Sequence, residues 1–217
     1  MFYTPSNIND IVYHSVVERK LINDIAAGTI QFHACGKNGI LLYGIYGTGK
    51  TTLARLLPEA IERGKGGGSV YYDFFPCEQG QNGVQLITKI RNTAEKVSIF
   101  NYSGYHYFVL DEVDNLTDAA LASLKTAMGI PQTIFIMTTN HISEIDAGVQ
   151  NRCVRINFNA AQASEWLPFA RRVLNDCDAG EISDDKLIPV IDSCKGSARE
   201  IAEAMQRIAA ERQPLSV

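Results

Sequence analysis

Short apolar runs alternate with stretches of helical periodicity up to residue 158, and there the alternation stops. The runs at residues 40–43, 70–75, 105–110 and 133–138, with a fifth at 154–158, are rich in β-branched and aromatic side chains. Between the first two, Leu53, Leu56 and Leu57 share one face of a helix that opens near Thr51. Strands of this length separated by helical patterns predict an α/β fold, a five-stranded parallel sheet flanked by helices. The run at 105–110 is almost continuously apolar or aromatic, as a central strand covered on both faces must be. After residue 158 three helical stretches follow, at 161–176, 183–194 and 197–211. Pro168 is expected to kink or restart the first, while Ser183 and Ser197 are suited to cap the other two. The division expected is an α/β domain over residues 1–158 and a smaller three-helix domain over 159–217. The glycine-rich stretch 64–68 reads as a mobile loop before the second strand.

Composition narrows the function classes. A chain of 217 residues can bury a substantial core, and 46% hydrophobic with 20% charged residues is ordinary for a globular protein. No apolar run approaches a membrane span, and the first residues lack the basic and apolar blocks of a secretion signal, so a cytoplasmic protein away from membranes is expected. The five cysteines, Cys35, Cys77, Cys153, Cys177 and Cys194, are odd in number and not closely spaced, which suggests neither a disulfide framework nor a zinc site. With a net charge of −4, any nucleic-acid contact needs a local basic face.

The chemistry begins at Gly44-Ile45-Tyr46-Gly47-Thr48-Gly49-Lys50-Thr51, which fits G-x-x-x-x-G-K-[ST] between a predicted strand and a predicted helix. Glycines let successive backbone N–H groups face inward as an anion nest, with the positive end of the helix behind them. This is the P-loop arrangement, and it assigns ATP or GTP contacts to Gly44, Gly47, Thr48, Gly49, Lys50, Thr51 and Thr52. Lys50 is expected on the β- and γ-phosphates and the Thr51 hydroxyl on Mg²⁺.

Asp111 and Glu112 end the central apolar run, at the strand edge where open α/β sheets bind ligands. Asp111 is suited to hold Mg²⁺ through its water shell, and Glu112 to orient and deprotonate a water attacking the γ-phosphate. The run at 133–138 leads into Thr139 and Asn140. Asn140 either holds that water beside Glu112 or is an ordinary turn residue.

P-loop, Asp-Glu box and strand-terminal Asn, in this order and approximate spacing, resemble the AAA+ ATPases over nearly the whole chain. Within that family Gln150-Asn151-Arg152-Cys153 resembles the Ser-Arg-Cys motif of clamp-loader subunits. The resemblance makes Arg152 an arginine finger acting in trans on a neighbouring subunit, and so implies a homo- or hetero-oligomer. Gly196-Ser197-Ala198-Arg199-Glu200 resembles the second sensor, carried on a helical lid, which puts Arg199 on the same nucleotide. Residues 4–12 resemble the segment that wraps adenine, with Ile11 and Val12 on the base, which favours ATP over GTP. Leu116-Thr117 before the helix at 118–128, and Cys77-Glu78-Gln79-Gly80, also suggest the clamp-loader subgroup. By that resemblance primed or duplex DNA and a sliding clamp are partners, with Lys89, Arg91, Lys96 and Lys125 as phosphate contacts. The same charges also fit a solvated helix face.

Three departures qualify the resemblance. Ile45 and Tyr46 stand where the P-loop usually carries prolines. Leu121 occupies the place of a Gln that couples DNA to the Asp-Glu box. The sequence stops after the lid, where clamp-loader subunits continue into a collar, so the assembly is held differently or a further segment belongs to it. The expectation is an ATP-hydrolysing oligomer driving DNA-associated remodelling. Its alternatives are a AAA+ chaperone or adaptor acting on a protein partner without DNA, and a nucleotide switch with little turnover.

Overall fold

The computed structural model describes residues 4–34, 36–78, 83–96 and 98–212. Cys35, Gln79 and Gly80, named above, lie outside them. The elements are α1 (Val16–Ala26), β1 (Gly39–Tyr43), α2 (Lys50–Gly64), β2 (Asp73–Pro76), α3 (Gly83–Ala94), β3 (His106–Asp111), α4 (Asp118–Ala127), β4 (Thr133–Thr139), α5 (Ala147–Asn151), β5 (Cys153–Asn157), α6 (Leu167–Asp176), α7 (Asp184–Ser193) and α8 (Ala198–Arg212). The five strands form one parallel sheet in the order β2-β3-β4-β1-β5.

Alternation along each strand sends successive side chains to opposite faces. Leu41, Phe108, Leu110, Phe135 and Met137 pack under α3, α4 and α5. Ile40, Leu42, Val109, Ile134 and Ile136 pack under α1 and α2. Both faces are covered, which explains why the strands read as unbroken apolar runs. The lid helices α6 to α8 enclose a third core around Phe169, Leu174, Leu187, Ile201 and Met205.

Two boundaries differ from the sequence reading. The second strand, expected at 70–75, is Asp73–Pro76. The side chain of Asn101 takes the Tyr71 N–H at 2.7 Å and donates to the Tyr71 carbonyl at 2.9 Å, satisfying that backbone outside the ladder. The glycine stretch is partly structural, because Gly64 is the last residue of α2 and a Cβ there would lie 1.8 Å from the Ala26 carbonyl oxygen. Pro168 does restart its helix, with a 3-10 turn at Ala163–Trp166 before it. Ser197 accepts the Glu200 N–H at 3.3 Å, as an N-cap should.

β4 lies between β1 and β3, so the loop after β1, the acids after β3 and the residues after β4 all emerge at one edge of the sheet. The lid joins that edge, where the Ala198 N–H donates to the Gly47 carbonyl at 2.9 Å. The N-terminal segment ties the two together. Ile11 is buried against the α1 and α2 side of the sheet, while the next residue, Val12, packs on the lid core.

Candidate functional site

The loop after β1 depends on its glycines. Gly44, Gly47 and Gly49 have φ of 146°, 79° and 97°, in the range that disfavours side chains. A Cβ on Gly44 would also lie 2.5 Å from the Phe158 backbone, and one on Gly47 2.5 Å from Ser197 Oγ. Gly49 caps α2 without a side-chain hydrogen bond, so the first-turn N–H groups of α2 are left for an anion.

Lys50 is buried and folds back on its own loop, its Nζ donating to the carbonyls of Ile45 at 2.6 Å and Gly44 at 3.0 Å. Burial pushes its pKa down to about 8, against the upward pull of Asp114, Asp111 and Glu112, and Arg199 adds to the lowering. A desolvated ammonium whose partners are carbonyls rather than a carboxylate has much to gain from an incoming phosphate.

A hydrogen-bonded chain links the three strand ends. Thr51 Oγ1 donates to Asp111 Oδ1 at 2.8 Å, and Thr138 Oγ1 donates to the same oxygen at 2.6 Å. The Glu112 N–H in turn donates to Thr138 Oγ1 at 2.9 Å. Glu112 has a left-handed backbone, φ 57° and ψ 55°, uncommon for a residue with a side chain and often found at functional turns. Its carboxylate receives Asn115 Nδ2 at 3.4 Å, and Asn115 also donates to the Cys77 carbonyl at 2.8 Å.

These groups open onto two adjoining cavities. The polar one, ≈ 150 Å³, is lined by Lys50, Thr51, Glu112, Thr138, Asn140 and Arg199. The larger, ≈ 490 Å³ and mainly apolar, lies between Ile11, Val12, Trp166, Phe169 and Ala202. Gly49, Thr52, Ala198 and Arg199 line both, so the two form one tract from polar to apolar. Trp166 packs edge-on to Phe169, and its Nε1 is buried without a hydrogen-bond partner among the described residues.

The family model for the ATPase family associated with various cellular activities (AAA) matches residues 40–160, more than half of the chain. The chain belongs to the AAA family. It is therefore an ATPase module, and ATP is the nucleotide that membership brings. Replication factor C small subunit 2 of Pyrobaculum islandicum is 26% identical over 219 residues, covering 99% of this chain and 64% of the relative. Human replication factor C subunit 5 is 24% identical, covering 94% of this chain and 58% of its own length. The AAA chain thus spans about three fifths of the curated relatives it matches. Among solved structures, the Holliday junction branch migration motor RuvB of Thermotoga maritima superposes with a TM-score of 0.69 at 18% identity, covering 94% of this chain and 64% of RuvB. The AAA domain of FIGL-1 in complex with ADP gives a TM-score of 0.65 at 15% identity, covering all of this chain and 88% of that one. At these identities the structures speak for the fold.

Arg152 of the AAA module is not at this tract. It ends α5 just before β5, with its NH1 on the Gly148 carbonyl at 2.9 Å, and its own carbonyl takes the N–H groups of Asn38 and Gly39 ahead of β1. Gly44 begins at the far end of β1, so a strand of roughly 16 Å separates Arg152 from the loop of its own chain. Of the basic residues suggested for DNA, Lys89, Arg91 and Lys96 are exposed, whereas Lys125 pairs with Asp146 at 3.5 Å. Leu121 is buried in the core.

The sequence reading missed Thr138 and the apolar wall of Trp166 and Phe169. A hydroxyl inside a fully buried strand, two residues before Asn140, was the available signal for Thr138. Nothing local marks Trp166 and Phe169, which look like any helix core. The thiols of Cys77 and Cys153 are pushed up to about 12 by burial, which leaves them inert near pH 7. Among the described residues, no helix is long and apolar enough to cross a membrane.

Proposed function

We propose that this AAA module binds Mg²⁺-ATP along the continuous tract and hydrolyses it within an oligomer that drives DNA-associated remodelling of the clamp-loader type. The observation that carries the reading is the chain Thr51–Asp111–Thr138–Glu112 at the floor of a polar cavity that continues into an apolar one. Triphosphate chemistry suits the first and a purine base the second.

In this reading Gly44, Gly47, Thr48 and Gly49 wrap the phosphates with backbone N–H groups, and Thr52 lines the passage to the base. Lys50 exchanges its two loop carbonyls for phosphate oxygens. Thr51 and Asp111, already 2.8 Å apart, fit a small hard cation held partly through water. A Mg²⁺ held by Thr51 and Asp111 would supply charge neutralisation for the phosphates. Glu112 takes a proton from the attacking water, Asn140 orients that water, and Arg199 brings the lid onto the nucleotide. Ile11 and Val12 face the base. Arg152 serves the neighbouring subunit, because it stands at the opposite end of the sheet from its own P-loop.

The relatives named for replication factor C, and the exposed Lys89, Arg91 and Lys96, support DNA as the substrate and a sliding clamp as a partner. The buried Leu121 and the engaged Lys125 favour a second reading, a AAA+ remodeller of a protein partner. Steady-state ATPase rates with and without primer–template DNA, at two protein and two salt concentrations, separate them. Salt-sensitive stimulation is expected for the first reading. A rate that ignores DNA but rises per subunit with concentration overturns it in favour of the second.

A further inference from the structure

Beside the nucleotide tract, on the outer flank of Glu112 and Asn140, two short turns face each other. One is the 3-10 turn Val113–Asn115, which carries Asp114 at its centre. The other is the 3-10 turn Ile142–Glu144, capped by His141, with the Glu144 N–H on the His141 carbonyl at 3.0 Å. In a 3-10 turn, residues three apart stand on the same side, so His141 and Glu144 point together. The Nδ1 or Nε2 of His141 and carboxylate oxygens of Asp114 and Glu144 all lie within 4.8 Å of one another. They line a cavity of ≈ 280 Å³ with Tyr46, Glu112 and Asn140.

We propose that Asp114, His141 and Glu144 form a divalent transition-metal site, separate from the Mg²⁺ position at Thr51 and Asp111. Three observations support it beyond the clustering. The Asp114 side chain is only 8% exposed, and its Oδ1 is buried with no hydrogen-bond partner among the described residues. A desolvated carboxylate oxygen without a donor calls for a cation. Second, the other carboxylate oxygen, Asp114 Oδ2, is hydrogen-bonded to His141 Nδ1 at 3.1 Å. Two ligands sharing a tetrahedral ion at about 2.0–2.1 Å stand about 3.3 Å apart, so the pair is already spaced for one. Third, Glu144 is exposed and long enough to close the remaining distance, and the His141 N–H on Thr139 Oγ1 at 3.0 Å fixes the backbone from which the imidazole projects.

One imidazole nitrogen and two carboxylate oxygens suit Zn²⁺, Co²⁺ or Mn²⁺, with water completing the sphere. Mg²⁺ prefers an all-oxygen octahedron and competes poorly for the imidazole. The ion would bind the Asp114 turn, two residues beyond Glu112, to the residue after Asn140, and so join the two elements proposed to hold the attacking water. The site itself stands independently of that nucleotide reading.

The test is a Co²⁺ titration of the nucleotide-free chain in excess Mg²⁺, followed by visible d–d absorption. One ion per chain is expected, without a thiolate charge-transfer band and displaceable by Zn²⁺. His141→Ala and Glu144→Gln should each weaken binding by about tenfold or more. Thr51→Val, which disturbs only the nucleotide tract, should leave it unchanged. Far-UV circular dichroism confirms that each variant is folded, and Glu144→Gln, on an exposed side chain, serves if His141→Ala is not. Absence of the d–d band, a thiolate band in its place, or binding that Glu144→Gln leaves intact overturns the proposal.

Discussion

The two ends of the tract proposed for the nucleotide are built in opposite ways. The polar end is assembled from backbone turns at the ends of three neighbouring strands and is tied by short hydrogen bonds, 2.8 Å from Thr51 and 2.6 Å from Thr138 to one carboxylate oxygen. The apolar end is a roomier chamber walled by the N-terminal segment on one side and the lid helices on the other. The first arrangement suits charge that must be met by fixed dipoles at fixed positions. The second suits a flat apolar base, for which contact area counts more than direction. Arg199 lines both, and in the proposed reading it is the residue through which lid position would register the phosphates.

Changes at the polar end should reach turnover, and changes at the apolar end should reach only base affinity. The largest effect is expected from Arg152→Ala, about 10³-fold or more in kcat with ATP still bound. Mixing it with Glu112→Gln should recover part of the rate, because each Arg152→Ala subunit keeps its own Glu112 and borrows a neighbour's arginine. A mixture no faster than its components would remove the trans role. Thr138→Val should lower kcat roughly tenfold or more, since Asp111 loses a charge-assisted hydrogen bond and the Glu112 N–H loses its acceptor. Thr138→Ser should stay near the unaltered rate, and a Thr138→Val protein at full rate would reduce the hydroxyl to packing.

At the other end, Val12→Ala should weaken ATP binding severalfold, by about 1 kcal/mol of lost apolar contact, while leaving inorganic tripolyphosphate affinity unchanged. Equal losses for both ligands would mean that the chamber does not hold the base. The smallest effect is protonic. Lys50 is held near a pKa of about 8 chiefly by burial, so above that pH much of it is neutral, and phosphate charge restores the ammonium. ATP binding should therefore take up protons at pH 8–9 and very few at pH 6.5. Calorimetry in buffers of different ionisation enthalpy measures the uptake, and Lys50→Met should abolish it.

The polar end was the more legible in sequence because its parts are contiguous. Gly44 to Thr51 form one turn, and Asp111 with Glu112 end one strand, so pattern and flanks sufficed to place them. Thr138 was harder, since its role comes from the β3–β4 neighbourhood and not from its own strand. Ile11 and Val12 were reached only through family resemblance. Trp166 and Phe169 were not reached, because a helix residue that faces a cavity has the same periodicity as one that faces a core. The start of β2 was misplaced for a related reason, as Asn101, thirty residues away, takes the backbone groups of Tyr71.

By itself the sequence determined the five parallel strands, the helical lid and the positions of the glycine loop after the first strand and of the acids after the third, because local periodicity and short-range turn chemistry specify these. Only the tertiary structure decided that Ile11 and Val12 divide between two cores, that Arg152 stands a strand's length from its own loop, and that Asp114 meets His141 and Glu144. Each of those facts rests on the order β2-β3-β4-β1-β5 and on the docking of the lid. Strand order brings together residues far apart in the chain, and no local preference of the backbone encodes which strands become neighbours.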